Sequence, residues 1–274
     1  MKYLVPFDFS QVSKNAVENA ISLAKQSGGD IIILHVVSDR ELVQRNKMLL
    51  DDYINHLNID NTNIQLSENV FVGDPFEDIG KMAELNHANY VIMGTHGLTM
   101  KQKLFGGNSV KIISNSSTPF IVLQDEVKIK EIKKIVLPYS IENKSLQVIK
   151  FASQLCKSYG AELHLVGRHH DDEFLKHKEN NSIILAKKHL LEQNVTHHFE
   201  LGTVSTGDFM EFVLAYAHKE NADLIAATYF SDSIMPMFER FIQNLIVNDF
   251  KIPVLCVNAQ TLSKADSSLS FMTS

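Results

Sequence analysis

The sequence predicts an α/β protein made of two tandem, doubly wound domains, each a mainly parallel five-stranded sheet with helices on both faces. Three observations support this prediction. Apolar runs of strand length alternate with segments of helical periodicity, and such alternation is typical of parallel sheets that are covered on both faces. The same order of segments occurs twice along the chain. Its 274 residues are enough for two domains of ordinary size.

The repeat is visible in the first strand and helix of each half. Residues 3–8 (YLVPFD) correspond to residues 135–140 (IVLPYS), because each is an apolar run followed by proline, an aromatic residue and a small polar residue. Apolar residues at helical spacing follow in both halves. Gly28 and Gly160 then stand where a helix is expected to end.

The repeat continues to the last strand of each half. A Gly-Asp pair precedes a helical pattern at Gly73 and again at Gly207, and residues 118–122 align with residues 252–256. A repeat of this length indicates tandem domains rather than a solenoid of short units. The predicted boundaries give two domains and a C-terminal tail: residues 1–126, residues 132–258 and residues 259–274.

Composition limits the classes of partner. The formal net charge of -6 does not favour a general nucleic-acid surface. Cys156 and Cys256 lie in apolar segments, as expected of core residues in a reducing compartment rather than of a disulfide or metal pair. The chain begins directly with a strand, and none of its apolar runs reaches membrane-spanning length. We therefore expect a cytoplasmic protein without a membrane partner.

A glycine-rich turn is the most distinctive local feature of the first half. Residues 93–97 (MGTHG) follow the apolar run 90–93, and residues 106–109 (GGNS) precede a second apolar stretch. Glycine lets backbone N–H groups approach an anion, and a helix N-terminus adds partial positive charge. The carboxyl ends of parallel strands meet at one edge of a sheet, so the turn at Asp8 is expected beside the glycines. This pattern predicts a phosphate site.

These motifs give the first half a resemblance to the universal stress protein domain along almost its whole length, and the second half resembles a diverged copy. The segments that carry the resemblance are residues 4–10 (LVPFDFS), 33–37 (ILHVV), 70–75 (VFVGDP) and 93–109. The ATP-binding branch of that family carries the pattern G-x2-G-x9-G-[S/T]. Here Gly94, Gly97 and Gly107 match its glycines, and Asn108 stands at its last position. The resemblance implies ATP binding with a regulatory or sensing role.

The resemblance also implies roles for individual residues. Asp8 matches the acidic residue that holds the ribose or a metal near the phosphates, and its hard oxygen atoms suit Mg²⁺. The residues implied to shape the adenine pocket and close over the nucleotide are Pro6, Phe7, Val36 or Val37, Met93 and Gly94. The residues implied to wrap the phosphates are His96, Gly97, Gly106, Gly107, Asn108 and Ser109.

The second half lacks these features. Ser140 replaces Asp8, residues 228–231 (TYFS) replace the first glycine pair, and Arg240 and Phe241 replace Gly106 and Gly107. Side chains then occupy positions where the backbone would approach a phosphate, so we expect no equivalent ATP site there. Members of the family pair through their last strands, which implies an internal pseudo-dimer, with a homodimer of whole chains as a further option. The segments that would pair are residues 120–123 and 254–257.

Several features also have plain structural interpretations. Asp8 is a favourable helix cap, and the clusters at residues 169–172 (HHDD) and 197–198 (HH) are interpreted as polar loops rather than metal sites. Apolar residues at helical spacing between residues 48 and 57 are expected to face a core or a partner.

Two other functions stay open beside ATP binding. A nucleotide-transforming enzyme would use His96 and Lys101, although the sequence shows no acid–base pair or nucleophile–base spacing typical of a fast enzyme. A nucleotide-free interaction protein would follow if Asn108 disables the site. The sequence does not separate ATP from AMP.

Overall fold

A computed structural model gives the architecture of the chain and describes residues 1–57, 59, 63–95, 112–113, 116–139, 145–229 and 236–258. In these ranges, ten strands form one sheet and seven helices cover its two faces. The strands are β1 (Lys2–Pro6), β2 (Asp30–Val37), β3 (Leu66–Val72), β4 (Tyr90–Thr95), β5 (Phe120–Gln124), β6 (Lys134–Pro138), β7 (Glu162–Arg168), β8 (His197–Gly202), β9 (Leu224–Tyr229) and β10 (Val254–Asn258). The helices are α1 (Gln11–Ser27), α2 (Glu41–Asn55), α3 (Pro75–Leu85), α4 (Ser145–Tyr159), α5 (Glu173–Glu192), α6 (Phe209–Lys219) and α7 (Pro236–Ile246).

The strand order shows the same arrangement in both halves. Across the sheet it is β3-β2-β1-β4-β5-β10-β9-β6-β7-β8, so the second half repeats the order of the first in reverse direction. Neighbouring strands within each half are parallel, and only β5 and β10 pair in antiparallel fashion. The predicted fold class is confirmed. The domain boundaries stay a prediction.

The alternation of apolar side chains explains why these segments form a sheet with two covered faces. Successive strand residues point to opposite faces, and Tyr3 and Val5 enter the core on one face whereas Leu4 enters the core on the other. Helices α1, α2, α4 and α5 pack on the first face, and α3, α6 and α7 pack on the second. Strands buried on both faces require the continuous apolar runs seen in the sequence.

Helix ends follow the sequence signals in three places and differ from them in one. Gly28 and Gly160 adopt the left-handed conformation, with φ of 69° and 67°, and end α1 and α4 as predicted. Asp74 caps α3 by accepting a hydrogen bond from the backbone of Phe76. The prediction of Asp8 as a helix cap is wrong, because Ser10 caps α1 and Asp8 lies two residues earlier.

The two halves meet through their last strands. Leu255 of β10 lies opposite Ile121 of β5, so the predicted strand pairing is present. On the first face of the sheet, the hydroxyl groups of Tyr3 and Tyr159 lie 3.0 Å apart. Burial raises the pKa of Tyr3 despite its hydrogen bonds with Ser27 and Tyr159, so this hydroxyl stays neutral at physiological pH. Buried hydrogen bonds thus join the halves beside the sheet.

Gln26 connects α1 both to Ile132, which lies shortly before β6, and to Tyr159 at the end of α4. Its side-chain nitrogen donates to the carbonyl groups of Ile132 and Tyr159, at 2.8 and 2.7 Å, and its side-chain oxygen accepts from the backbone of Ile132 at 2.7 Å. We expect Gln26→Ala to lower the free energy of unfolding by about 2–4 kcal/mol, because three backbone groups lose their partner. Chemical denaturation measures this change. The exposed neighbour Lys25 supplies the control, and Lys25→Ala should cost less than about 0.5 kcal/mol. Equal effects of the two substitutions would show that Gln26 does not tie the halves together.

One interpretation of a surface segment needs correction, and a second is met only in part. His197 and His198 lie within strand β8 rather than in a polar loop. The apolar stripe on α2 is only partly covered, because Leu50 is fully buried whereas the side chains of Met48 and Leu49 are exposed. Within the described ranges, no helix combines the length and apolar character that crossing a membrane requires.

Candidate functional site

A cavity of about 240 Å³ opens at the carboxyl ends of β1, β2 and β4. Strand β1 has β2 on one side and β4 on the other, so the chain changes direction across the sheet at this point. Ligands in open α/β sheets bind at such a switch point. The lining residues are Pro6, Phe7, Asp8, Ser10, Val12, Ser13, Leu34, His35, Val36, Pro75, Phe76, Ile79, Met93, Gly94, Thr95 and Ile112.

The turn between β1 and α1 forms the polar side of the cavity. The Asp8 carboxylate accepts a hydrogen bond from the backbone of Ser10 at 3.0 Å, and the Asp8 backbone donates to the Ser13 hydroxyl at 3.3 Å. Partial burial opposes ionisation of Asp8, but the hydrogen bonds from Ser10 and Ser13 outweigh it and hold its pKa below the usual value. Asp8 is therefore a carboxylate at neutral pH, beside the positive end of the α1 dipole.

Aromatic rings hold this turn in place. Phe7 stacks on Tyr53 of α2 at 4.5 Å between ring centroids, and Phe9 meets both Phe7 and His35 edge-on at 5.0 Å. Phe9 has a φ of 64°, in the left-handed region that phenylalanine rarely adopts. These ring contacts stabilise a strained backbone next to the cavity.

His35 is fixed by a hydrogen bond to the same turn. Its Nδ1 atom lies 2.7 Å from the carbonyl oxygen of Phe7. A carbonyl oxygen only accepts, so Nδ1 carries the proton of this hydrogen bond. His35 thereby adds a polar group to the cavity wall.

Apolar side chains form the other side of the cavity. Val36 is the penultimate residue of β2, Met93 belongs to β4, and Phe76 and Ile79 come from the first turns of α3. Met93 and Ile79 are buried, whereas Val36 and Phe76 are half-buried. Apolar walls next to a few directed polar groups are typical of small-molecule sites, and this arrangement suits a flat ligand with one polar end.

Gly94 has a packing role that its motif does not reveal. It lies inside β4, which continues to Thr95, so Met93 and Gly94 belong to a strand rather than to the predicted turn. A Cβ atom on Gly94 would lie 2.7 Å from the carbonyl oxygen of Val12 and closer still to the Val12 side chain. Glycine therefore lets the start of α1 approach β4 closely.

The structure brings together six of the residues predicted for the site. Those that line the cavity are Pro6, Phe7, Asp8, Val36, Met93 and Gly94. Val37, the alternative to Val36, is buried and does not line it. The remaining predictions lie outside the described residues: His96, Gly97, Gly106, Gly107, Asn108 and Ser109.

Sequence reasoning missed several residues of the cavity wall. Ser10 and Ser13 follow Asp8 on the first turn of α1, and Phe76 follows the Gly-Asp-Pro sequence that opens α3. Their position directly after strand ends is the signal that would have identified them, since such loops meet at the switch point. His35 carries no such signal, because an alternating strand pattern does not identify the residue that turns toward a cavity.

The second half differs at the equivalent positions. Register places Arg168 where the first half has Val36, Ala227 where it has Met93, and Thr228 where it has Gly94. A half-buried guanidinium group thus replaces an apolar wall. This supports the expectation that the second half does not repeat the first site.

Comparison with known proteins matches residues 1–124 to the universal stress protein family. These residues belong to that family. Among its members, universal stress protein MJ0577 of Methanocaldococcus jannaschii is 26% identical in an alignment of 152 positions that covers 45% of this chain and 94% of that protein. Universal stress protein MJ0531 of the same organism is 24% identical in an alignment of 151 positions that covers 46% of this chain and 84% of that protein.

A solved structure resembles the chain over both halves. The crystal structure of a universal stress protein from Archaeoglobus fulgidus has a TM-score of 0.71, with 18% identity, and the match covers 94% of this chain and 96% of that one. At this identity the similarity shows the fold alone. Function therefore has to be argued from the cavity.

Proposed function

We propose that the first half of this chain binds an adenine nucleotide, with ATP as the leading ligand, and that the protein serves a regulatory or sensing role. The observation that carries the proposal is the division of the switch-point cavity into an apolar side and an anion-compatible polar side. The base lies between Val36, Met93 and Phe76, which provide apolar contact. The turn from Asp8 to Ser13 receives the ribose and the first phosphate.

The charge distribution supports this orientation of the ligand. Backbone N–H groups at the start of α1 and the dipole of that helix favour an anion near Ser10 and Ser13. Asp8 would repel a bare phosphate, but its carboxylate accepts hydrogen bonds from ribose hydroxyl groups and provides a hard oxygen ligand for Mg²⁺. The nucleotide is thus proposed to bind as its magnesium complex, with the glycines of residues 94–107 around the outer phosphates.

Binding rather than fast catalysis is the proposed activity. Charge-assisted hydrogen bonds of about 1.5–3 kcal/mol each, reduced by the cost of immobilising the ligand, correspond to micromolar affinity. Among the described cavity residues, Asp8 and His35 are the ionisable groups, and each is already hydrogen-bonded within the β1–α1 region. This arrangement favours a receptor for the nucleotide.

Direct titration tests the proposal. The purified chain, freed of endogenous ligand, is titrated with ATP, AMP and cyclic AMP by isothermal calorimetry with and without Mg²⁺. We expect one site per chain with a dissociation constant in the micromolar range. Mass analysis of nucleotide released by denaturing freshly purified protein identifies the natural ligand. Absence of both binding and released nucleotide would favour the nucleotide-free interaction protein. ATP turnover faster than about 1 s⁻¹ would favour the enzyme.

A further inference from the structure

A second polar cluster lies in the other half of the chain, toward the amino-terminal ends of its strands. Glu162 and His164 are two residues apart on β7, so both point to the same face of the sheet. His198 on β8 lies directly opposite His164 in the parallel register. The two imidazole rings are 4.6 Å apart between centroids. The cluster is thus at the opposite end of the strands from the switch-point edge where nucleotides are expected.

The three side chains bring ligand atoms within reach of one ion. The Nε2 atom of His164 lies 3.1 Å from Oε1 of Glu162, and the Nε2 atom of His198 lies 3.6 Å from Oε2 of the same carboxylate. One ligand atom from each residue lies within 4.8 Å of the other two. In a tetrahedral zinc site, metal–ligand bonds near 2.0–2.2 Å separate the ligand atoms by about 3.3 Å. The ligand atoms of this cluster are 3.1 Å apart at the closest pair and within 4.8 Å of one another overall, a range that includes this value.

Tyr216 orients the buried histidine. The side chain of His164 is only 5% exposed, and its Nδ1 atom lies 2.7 Å from the Tyr216 hydroxyl on α6. A metal-bound imidazole usually has its second nitrogen hydrogen-bonded in this way, because the partner fixes the ring and its tautomer.

The surrounding charges favour a cation. Lys134 lies 3.4 Å from Glu162 and 3.2 Å from Glu220, so its single ammonium group is shared between two carboxylates. The net charge of these two carboxylates and one ammonium group is therefore negative. A divalent ion bound to Glu162 would neutralise this negative charge, and Lys134 would remain paired with Glu220.

The first half shows that the fold does not require this cluster. Register places Ile32 at the position of His164 and Ser67 at that of His198, and the apolar Met82 occupies the position of Tyr216 on the equivalent helix. Ile32 and Met82 are buried. Replacing apolar core residues by a histidine and a tyrosine requires specific hydrogen bonds to offset desolvation. The substitutions at three separate elements converge on one point, which indicates a site rather than chance drift.

We propose that Glu162, His164 and His198 form a binding site for a divalent transition-metal ion, with Zn²⁺ as the expected occupant. Two imidazole nitrogens and a carboxylate oxygen are common zinc ligands. His198 is 55% exposed, so the fourth position opens to water. Tyr216 is the positioning residue that holds the His164 ring.

Titration of the metal-free chain with Zn²⁺, in competition with a chromophoric chelator at pH 7.5, tests this proposal. We expect one equivalent to bind. His164→Gln and His198→Gln should each weaken the affinity for Zn²⁺ at least about tenfold. Tyr216→Phe should weaken it by about tenfold, because the His164 ring loses the hydrogen bond that orients it. Co²⁺ in place of Zn²⁺ should give the visible absorption of a tetrahedral site in the unaltered chain and lose it in His198→Gln. Lys134→Met should tighten Zn²⁺ binding, because a competing cation is removed.

His197→Gln is the matched control. His197 precedes His198 on β8 and points to the other face, where its Nδ1 atom lies 2.8 Å from the carbonyl oxygen of Val195. This variant should bind Zn²⁺ like the unaltered chain, and circular dichroism should show that the exposed His198→Gln variant keeps its fold. Failure of the chain to bind Zn²⁺, or equal affinities of the His197→Gln and His198→Gln variants, would overturn the proposal. No nucleotide is present in the assay, so the result is independent of the first site.

Discussion

Val36→Arg is expected to weaken ATP binding by at least about a hundredfold, or about 2.7 kcal/mol. Val36 lines the apolar side of the cavity at the end of β2 and is half-buried. A guanidinium group there must either occupy the space of the adenine or be desolvated against it without a partner. Calorimetric titration with ATP measures the loss, and the thermal unfolding midpoint should stay close to that of the unaltered chain.

The duplicated chain supplies a control for this substitution. Arg168 occupies the position of Val36 in the second half, and Arg168→Val should leave ATP affinity unchanged. Val36→Ala separates size from charge, because it removes only a few apolar contacts and should reduce affinity less than tenfold, by about 1 kcal/mol. If Val36→Arg bound ATP normally, the base would not lie against β2 and the proposed orientation of the nucleotide would be wrong.

Some parts of the fold were predictable because local sequence determines them. The apolar runs and the glycines at helix ends, Gly28 and Gly160, depend on local sequence, and the structure confirms them. The pairing of β5 with β10 was expected only from the resemblance to the universal stress protein family, whose members pair through their last strands. The apolar runs and the helix ends follow from short-range chemistry and from the need to bury apolar surface, whereas the strand pairing does not.

The candidate site was only partly predictable because side-chain direction depends on register. Asp8 follows β1, and Val36 and Met93 lie near the carboxyl ends of β2 and β4, so their convergence at the switch point follows from topology. His164 and His198 are 34 positions apart in sequence, and only the alignment of β7 with β8 places them side by side. A one-residue shift would turn one of them to the other face. For this reason the sequence predicted a polar loop at residues 197–198 and did not predict this cluster.

Gly94 shows how one residue can satisfy two requirements that its motif does not separate. Sequence reasoning assigned it to the nucleotide, whereas the structure also uses it to admit the start of α1 against β4. In the second half Thr228 stands at this position. The two roles are coupled, because the helix start that approaches Gly94 also carries Ser10 and Ser13 of the cavity. Loss of glycine should therefore affect stability and binding together.

Gly94→Ala is expected to lower the free energy of unfolding by about 3 kcal/mol and to weaken ATP binding as well. The new methyl group would lie 2.7 Å from the Val12 carbonyl oxygen, and backbone cannot move aside as the end of a flexible side chain can. Overpacking of this kind typically costs about 1–3 kcal/mol. Chemical denaturation measures the change in stability, and calorimetry measures the change in affinity on the folded fraction.

Two further variants isolate the contact between Gly94 and Val12. In Gly207→Ala the nearest atom to the new methyl group is the Ser205 hydroxyl oxygen at 3.7 Å, so stability should change by less than about 0.5 kcal/mol. The double variant Gly94→Ala with Val12→Ala removes the side-chain part of the clash but leaves the carbonyl oxygen. Its destabilisation should therefore be smaller than the sum of the single effects, by about 1 kcal/mol. Strict additivity would mean that α1 does not pack on β4 at this glycine, and the cavity wall formed by the helix start would then need a different explanation.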